Sequence, residues 1–328
     1  MKRFVFGACV QGYSHIRSGM ECQDSMKKLE LEGGTVIMAV ADGHGSRSCP
    51  FSKTGSEIAV EVFCDTMERL LVAYSGEPEQ LKLLLLREGS LRVAQTIDQE
   101  WKQRVMAVHK EMDREIPMTD EDKPELSKVY RLYGSTLLGV LITDNYVFAF
   151  QIGDGDILYA ENEGIAPVVQ PEKLLGVESH SLCSAEAWKK AVSALWQRNW
   201  SEQVPLMFLL STDGFANSFV SDEAFLKTCA EYFSMLKEHG AEVIKANLND
   251  WLAETSQLGC GDDTTALIAY FTDEADERSE EETTSATSQE VDVDSIPEAK
   301  TGSTETGNMD DSENADEQPA EETADQEA

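Results

Sequence analysis

Basic residues are scarce in this chain of 328 residues, which has 27 Lys and Arg against 61 Asp and Glu and a formal net charge of −34. Proteins that bind nucleic acid or an anionic membrane surface need clustered Lys and Arg to neutralise phosphates. The composition therefore argues against both kinds of partner. Most of the acidic charge is explained by a surface that keeps the protein soluble.

Long apolar runs and paired cysteines are also absent. No stretch approaches the 18 uninterrupted apolar residues of a membrane span, and the apolar stretch near the N-terminus, broken by Gly7 and Gln11, is too short for a signal peptide. Seven cysteines without a CxxC pair fit neither a disulfide framework nor a zinc knuckle. They indicate buried thiols in a reducing compartment, so we predict a cytoplasmic protein.

The last 56 residues differ in composition from the rest of the chain. From Asp273 onward there are 21 acidic residues, two basic residues and no aromatic residue. Such a segment buries too little apolar surface to offset its chain entropy. We therefore predict a folded domain at 1–272, with a net charge of −15, and a disordered acidic tail at 273–328.

The folded part alternates between strand-like and helix-like patterns. Short β-forming runs predict strands at 4–10, 35–41, 135–143, 146–155, 156–162, 205–212 and 265–271. Apolar residues at helical spacing predict helices at 52–74, 79–114 (with a break near "REGS"), 185–197, 222–238 and 240–256. The polar segment 117–128 is predicted to be a loop. Consecutive strands with helical pairs between them favour an α+β fold with antiparallel sheets.

Carboxylates recur where these predicted strands end. They occur in "CQDS", "ADGHG", "IGDGD", "STDGF" and "GDDTT". A single Asp beside Gly is usually a turn residue. Several gathered at one sheet edge would repel one another and raise one another's pKa, and a hard divalent cation relieves that repulsion. We therefore predict a site for two Mg²⁺ or Mn²⁺ ions that clamp a phosphoryl group.

The ordered set "SHIRSGMECQDS", "ADGHGS", "YGST", "IGDGD", "STDGF" and "GDDTTALI" resembles the metal-dependent type-2C protein serine/threonine phosphatases (the PPM family), in a bacterial-type version. The motifs run in the family's order from about residue 7 to residue 271. The resemblance implies a four-layer α-β-β-α sandwich, in which two stacked antiparallel β-sheets are flanked by helical pairs.

The resemblance also implies a set of metal ligands. Asp42 would bridge two ions, and the carbonyl of Gly43 would hold the second. Asp213 and Asp262 would complete the first ion's shell. Asp262 matches the family's ligand position, whereas Asp263 stands where Asn is common.

Three further residues take roles from the same resemblance. Asp24 would act through a water molecule, and Asp154 would help to hold a third, weaker ion. His44 matches the family's candidate general acid, and its ordinary pKa of about 6.5 suits proton donation near neutral pH. Asp42, His44 and Asp213 are thus the predicted catalytic residues.

The phosphate-binding group is less clear from the sequence. The arginine of animal members has no secure counterpart, so Arg17 is the first candidate and His15 the second, with Arg47 also nearby. Gln23 stands where some members have a glutamate ligand, which lowers the charge around the metal site by one. Each of the three basic side chains could instead be an ordinary surface charge.

The predicted function is hydrolysis of phosphoserine and phosphothreonine on proteins by a metal-activated water. Phosphorylated proteins and an opposing kinase, or its substrates, are the predicted partners. The chain has no CxxxxxR, GxSxG or GxxxxGK[ST] pattern, which argues against cysteine phosphatases, serine hydrolases and P-loop nucleotidases. Two alternatives stay open: a catalytically weak, phosphatase-like binding module, and a hydrolase of small phosphoesters. The tail is expected to be solvated or to tether a basic partner, with occupation of the site as the alternative.

Overall fold

Strands build two antiparallel sheets in the part of the chain that the computed structural model describes, residues 1–162, 164–169, 180–197 and 204–273. In chain order the strands are β1 (Lys2–Val10), β2 (Ser25–Glu30), β3 (Val36–Ala41), β4 (Leu137–Ile142), β5 (Tyr146–Ile152), β6 (Asp156–Glu161), β7 (Gly164–Pro167), β8 (Val192–Gln197), β9 (Leu206–Ser211) and β10 (Thr264–Thr272). One sheet has the order β1-β10-β9-β6-β7 and the other has the order β2-β3-β4-β5-β8.

The two sheets pack face to face because successive side chains along their strands point to opposite faces of the sheet, and both faces are apolar. In β3, Met38 and Val40 point into a core shared with Phe208 and Leu267 of the other sheet. The neighbouring residue Ala39 points the other way, into a core formed with helices. This two-residue period is the geometry of a strand that is buried on both faces.

Helices cover the two outer faces. In chain order they are α1 (Tyr13–Ser18), α2 (Ser52–Ala73), α3 (Pro78–Glu88), α4 (Ala94–Glu111), α5 (Leu126–Arg131), α6 (Asp213–Ala216), α7 (Asp222–His239) and α8 (Ala241–Leu258). Helices α2 and α4 pack on the sheet that contains β3, and α7 and α8 pack on the sheet that contains β1. The predicted α+β sandwich of four layers is therefore confirmed. None of the helices described is long and apolar enough to cross a membrane.

The predicted helix at 185–197 is wrong. Residues Ala187–Lys190 form one 3₁₀ turn, and Val192–Gln197 form β8, which pairs antiparallel with β5. Trp196 packs against the core between the sheets, whereas Leu195 packs against the helical side. Short apolar runs of this kind do not separate helix from strand by periodicity alone.

The other predicted elements agree with the structure within a few residues. The long helical region at 79–114 is α3 and α4, joined by a π-helical turn at Gly89–Val93. The predicted loop at 117–128 runs into α5, which begins at Leu126. Strand β2 was not predicted, because two adjacent lysines separate its two large apolar residues and its sequence does not alternate between apolar and polar residues. The predicted tail lies outside the described residues from 274 onward.

Strand register places the carboxylate motifs at one edge of the sandwich. Ala41 at the end of β3 pairs with Ser25 at the start of β2. In the other sheet, Ser211 at the end of β9 pairs with Ala266 near the start of β10 and with Asp156 at the start of β6. The segments that carry the carboxylate motifs, which directly precede or follow these strands, therefore meet at the same end of the sandwich.

Candidate active site

The "ADGHG" segment continues the β3–β4 ladder beyond the end of β3. The backbone N–H of Asp42 donates to Thr136 Oγ1 (2.9 Å), and the N–H of Thr136 donates to the carbonyl of Asp42 (2.8 Å). Gly43 forms an isolated bridge with Ser135, and the N–H of His44 donates to the carbonyl of Gly134 (3.2 Å). The "YGST" motif thus holds the segment in place.

Gly43 and Gly134 are required by close packing around this segment. A Cβ on Gly43 would lie 2.6 Å from the carbonyl of Ser52, and one on Gly134 would lie 2.6 Å from Cδ2 of His44. Such distances are too short for any side chain. The two glycines therefore fix the positions of the Gly43 carbonyl and the His44 ring.

Asp24 is the most deeply buried of the predicted ligands, with an exposed fraction of 1%. Its Oδ2 accepts hydrogen bonds from the hydroxyls of Thr212 (2.6 Å) and Thr265 (2.7 Å). These residues flank the ends of β9 and β10, so Asp24 joins β2 to the opposite sheet. Burial nevertheless raises its pKa well above the ordinary value, with the two hydroxyls opposing the shift.

Asp213 and Asp262 enter the site from the other sheet. Asp213 is the first residue of α6, and its Oδ2 accepts a hydrogen bond from Asn217 Nδ2 (2.9 Å). Asp262 lies just before β10 with 53% of its side chain exposed. A Cβ on Gly214 would lie 2.0 Å from the carbonyl of Asp263, so the tight contact between α6 and this turn requires a glycine.

The predicted carboxylates lie close enough together to influence one another's pKa. Burial raises the pKa of Asp42 well above its ordinary value, and the charges of Asp24, Asp213, Asp262 and Asp154 raise it further. Burial, followed by Asp154 and Asp262, raises the pKa of Asp213 to about 7. Mutual repulsion among these groups is the condition that a bound cation relieves.

Asp154 and His44 lie at the mouth of this cluster. Asp154 is exposed in the turn between β5 and β6. Burial lowers the pKa of His44 below 6.5, and the negative charge of Asp154 partly offsets this shift. The two residues therefore interact electrostatically, as expected of groups that face one site.

Asp263 organises the residues around the cluster, a role that the sequence analysis missed. Its Oδ1 accepts from the backbone N–H of Gly12 (2.6 Å) and lies 2.9 Å from Nδ1 of His15, while its Oδ2 accepts from the N–H of Gln23 (2.6 Å). Both oxygens are thus engaged by the protein. Asp262, whose carboxylate is half exposed, is the one of the pair that faces outward.

His15 and Arg17 lie in different surroundings although both belong to α1. His15 has 14% of its side chain exposed, and its Nε2 lies 3.6 Å from Oδ1 of Asp262. Arg17 is exposed, with its guanidinium carbon 6.0 Å from the centre of the Tyr13 ring. Arg47 is exposed as well. Of the three basic candidates, His15 is the one in contact with a predicted metal ligand.

The residues at this edge fit a divalent cation. Gln23 is 8% exposed, and among the described residues its Oε1 has no hydrogen-bond partner. A Cβ on Gly45 would lie 2.8 Å from this oxygen, so the amide carbonyl lies against the "DGHG" loop. This oxygen, the carbonyl of Gly43 and the carboxylates at this edge are the type of oxygen donors that Mg²⁺ and Mn²⁺ prefer.

Two other features could not be found from the sequence. Thr212 and Thr265 hold Asp24, and Cys9 lies beside Cys22 under the same segment. The structural role of Asp263 is the one feature with a signal in the sequence, the doubled aspartate of "GDDTT", since one member of such a pair often has a structural role. The remaining contacts depend on the pairing of distant strands.

Comparison with known proteins identifies the family and the fold. Residues 11–253 match the sequence model of the family described as protein phosphatase 2C. The fold is similar to that of the S. agalactiae serine/threonine phosphatase (12% identity, TM-score 0.52, covering 83% of this chain and all of that one). It is also similar to the catalytic domain of the serine/threonine protein phosphatase PstP in complex with two manganese ions (14% identity, TM-score 0.50, covering 83% of this chain and 99% of that one).

No curated protein sequence matches this chain significantly. The structural similarities, at these identities, establish the fold, and the sequence model establishes the family because it takes in well over half of the chain. The chain therefore belongs to the protein phosphatase 2C family.

Proposed function

We propose that this chain is a metal-dependent protein serine/threonine phosphatase that hydrolyses phosphoserine and phosphothreonine on proteins. One observation carries the proposal: four other carboxylates, those of Asp24, Asp154, Asp213 and Asp262, lie close enough to the partly buried Asp42 for their charges to raise its pKa. Five carboxylates, with His15 and His44 as the basic side chains that interact with them, would be unfavourable in a site that did not bind cations. Family membership supports the same conclusion.

The carboxylates and one carbonyl form the proposed metal site. Asp42, Asp213 and Asp262, with the carbonyl of Gly43, would hold two Mg²⁺ or Mn²⁺ ions. Asp24, clamped by two threonine hydroxyls, would act through water. When bound, such ions activate water as a nucleophile and neutralise charge on the phosphoryl group.

Asp154 has a different place in the proposal. It is exposed and interacts with Asp213, whose pKa it raises. With Asp213 it would hold a third and weaker ion. A site with an exposed ligand exchanges its cation more readily than one with buried ligands.

His44 is the proposed proton donor to the leaving serine or threonine oxygen. Its pKa lies below 6.5 because it is buried. The imidazole is therefore mostly neutral at pH 7, and its contribution as a general acid increases toward lower pH. Packing of the ring on Gly134 limits the directions in which it can donate.

His15 is the proposed contact to the substrate phosphate, ahead of Arg17. Asp263 binds Nδ1 of His15, which fixes the ring and leaves Nε2 directed toward Asp262. A phosphate held at the ions would be within reach of this nitrogen. Arg17 lies on the surface over Tyr13 and is better placed to contact the rest of a peptide.

The test is turnover of a phosphothreonine peptide and of an aryl phosphate with Mn²⁺, Mg²⁺ or a chelator. We expect metal-dependent phosphate release from the peptide, and a loss of at least about 100-fold in kcat for Asp42→Asn, because a ligand shared by two ions is removed. Asp113→Asn is the matched control. Asp113 is exposed at the end of α4 with φ +50°, a conformation that Asn also tolerates.

Other outcomes would select the alternatives. Release from the aryl phosphate without release from any phosphopeptide would indicate a hydrolase of small phosphoesters. Binding of the phosphopeptide by the folded protein, with no release under either metal, would indicate a binding module. Equal activity of the Asp42→Asn and Asp113→Asn variants would contradict the proposed site.

A further inference from the structure

Two thiols lie side by side beneath the carboxylate cluster. Cys9 in β1 and Cys22, just before β2, are 13 residues apart, yet their Sγ atoms are 3.6 Å from each other. Both are free and partly buried. Because a disulfide has an S–S distance of about 2.05 Å, the two sulfurs need to approach by only about 1.5 Å to form a bond.

The pair lies against the backbone of a predicted metal ligand. The Sγ atoms of Cys9 and Cys22 lie 3.6 Å and 4.0 Å from the carbonyl oxygen of Asp24. Cys9 is also opposite Thr265, whose hydroxyl holds the Asp24 carboxylate. A change in the bonding of these thiols therefore acts on the backbone of Asp24 and on the threonine that holds its carboxylate.

The other cysteines are less suited to forming a disulfide with Cys9 or Cys22. Cys64 and Cys229 are fully buried in the two cores between helices and sheets, and Cys260 is exposed at the end of α8. Cys49 and Cys183 are a competing pair, since both sulfurs lie near Gly134, within 3.4 Å of the place where its Cβ would be.

We propose that Cys9 and Cys22 are a modification site, at which a hydroperoxide oxidises the two thiols to a reversible disulfide. One sulfur attacks a peroxide oxygen and the O–O bond breaks, which gives a sulfenic acid and water. The second sulfur then attacks the sulfenic sulfur, and the hydroxyl leaves with the second thiol's proton as water. Two thiols lose two electrons, and hydrogen peroxide is reduced to two waters.

The bond would displace the segment that carries Gln23 and Asp24. The N–H of Gln23 donates to Asp263 Oδ2 (2.6 Å), and its carbonyl accepts a hydrogen bond from Ser56. Cys22 is bonded directly to Gln23, so pulling Cys22 toward β1 strains both contacts. This consequence rests on the proposed function: since a displacement of about 1 Å can cost a large factor in rate, we expect turnover to fall at least about tenfold on oxidation.

The experiment maps the thiols and measures activity on the same samples of the full chain. Reduced protein is treated with hydrogen peroxide in a chelator, alkylated, digested without reductant and examined by mass spectrometry. We expect a linked Cys9–Cys22 peptide pair, lighter than the free thiols by two hydrogens and separated by dithiothreitol. Alkylation of both cysteines at every peroxide concentration, irreversible oxidation of both, or a Cys49–Cys183 link alone would overturn the proposal.

Single-cysteine variants test whether formation of the Cys9–Cys22 disulfide causes the loss of turnover. Cys9→Ser and Cys22→Ser, both checked for folding by circular dichroism, should keep their turnover after peroxide treatment. Cys183→Ser, which removes the competing pair, should respond as the parent does. A linked Cys9–Cys22 pair without loss of turnover would overturn the regulatory consequence. Absence of turnover in the reduced parent would contradict the proposed function, while the peptide map would still decide the disulfide.

Discussion

At the scale of single residues, Asp262 and Asp263 are adjacent in sequence but differ in their surroundings. Asp263 is buried and accepts hydrogen bonds from two backbone N–H groups, with His15 as a third partner. Asp262 is half exposed, and its carboxylate accepts one bond, from the N–H of Asp263 (2.8 Å). One carboxylate is thus used for structure, and the other is available for a cation.

Substitution of each aspartate by asparagine tests this division of roles between Asp262 and Asp263. In Asp263→Asn an amide NH₂ replaces one acceptor oxygen, so a buried N–H loses its partner and the free energy of unfolding should fall by about 1–3 kcal/mol. In Asp262→Asn the remaining oxygen keeps its bond, so stability should stay within about 0.5 kcal/mol. Urea denaturation in a chelator measures stability, and calorimetric titration with Mn²⁺ should give weaker binding for Asp262→Asn. Equal destabilisation by the two substitutions would contradict the division.

The raised pKa values of the cluster predict how the metal-free protein responds to pH. Asp213 has a pKa of about 7 in the folded protein against 3.8 ordinarily, and the pKa values of Asp24 and Asp42 are also raised. At a pH between the ordinary pKa of a carboxyl and its raised pKa in the folded protein, the folded state binds more protons than the unfolded state. The free energy of unfolding therefore falls as the pH rises through this range. His44, whose pKa is lowered, acts in the opposite sense below pH 6.5. Because three carboxyls act in one sense and one imidazole in the other, the net effect of these groups is a stability that falls as the pH rises.

We therefore expect the metal-free protein to melt at a lower temperature at pH 7 than at pH 5.5. Each carboxyl that titrates only in the folded state contributes about 1.4 kcal/mol per pH unit. Thermal melting in a chelator measures the slope, and excess Mn²⁺ should remove it, because bound cations keep the carboxylates ionised. Asp42→Asn should reduce the slope in the chelator. A melting temperature that rises with pH over this range would contradict the prediction.

At the scale of elements, the sequence predicted the strands with long apolar runs and the helices with sustained periodicity. β3, β9 and β10 are buried throughout, so their limits were found within one or two residues. The prediction of a helix over β8 is wrong because a six-residue stretch with four apolar residues has no decisive period, and its place is set by pairing with β5. Motifs likewise predicted Asp42, Asp213 and Asp262, which the structure brings near one another, whereas partners such as Thr212 depend on contacts between sheets.

Helix α2 offers a test of how closely a helix packs beside the site. A Cβ on Gly55 would lie 1.8 Å from the carbonyl of Tyr133, and Trp101 Nε1 donates to the carbonyl of Gly55 (2.9 Å). Tyr133 immediately precedes Gly134, which contacts His44. Gly55 therefore sets the distance between α2 and the segment that holds the "DGHG" loop.

Gly55→Ala should lower the free energy of unfolding by about 1–3 kcal/mol, because overpacking outweighs the higher helix propensity of alanine. Gly76→Ala is the control, since a Cβ there meets nothing within 4 Å. Its stability should stay within about 1 kcal/mol of the parent. Urea denaturation of both variants measures the difference. A Gly55→Ala protein as stable as the Gly76→Ala protein would show that α2 can move away from Tyr133.

At the scale of the whole molecule, the site is shared between the two sheets. Asp24 and Asp42 come from the sheet that contains β3, and Asp213 and Asp262 come from the sheet that contains β10. Binding of cations between these groups would therefore draw the sheets together at one edge. Among the described residues, the β1–β10 ladder pairs Lys2 with Thr272.

Removal of residues 273–328 tests the proposed division into a catalytic domain and an acidic tail. The β1–β10 pairing reaches Thr272, and the composition of residues 273–328, with 21 acidic residues and no aromatic residue, offers little to a core. We expect the shortened chain to keep its melting temperature and its kcat and KM within about twofold, since a segment of this composition buries little apolar surface. Parallel assays at low and high salt control for the loss of charge, because screening removes a purely long-range effect. A large increase in kcat/KM at both salt concentrations would instead mean that the tail occupies the site, where its acidic side chains would compete with phosphate for the ions.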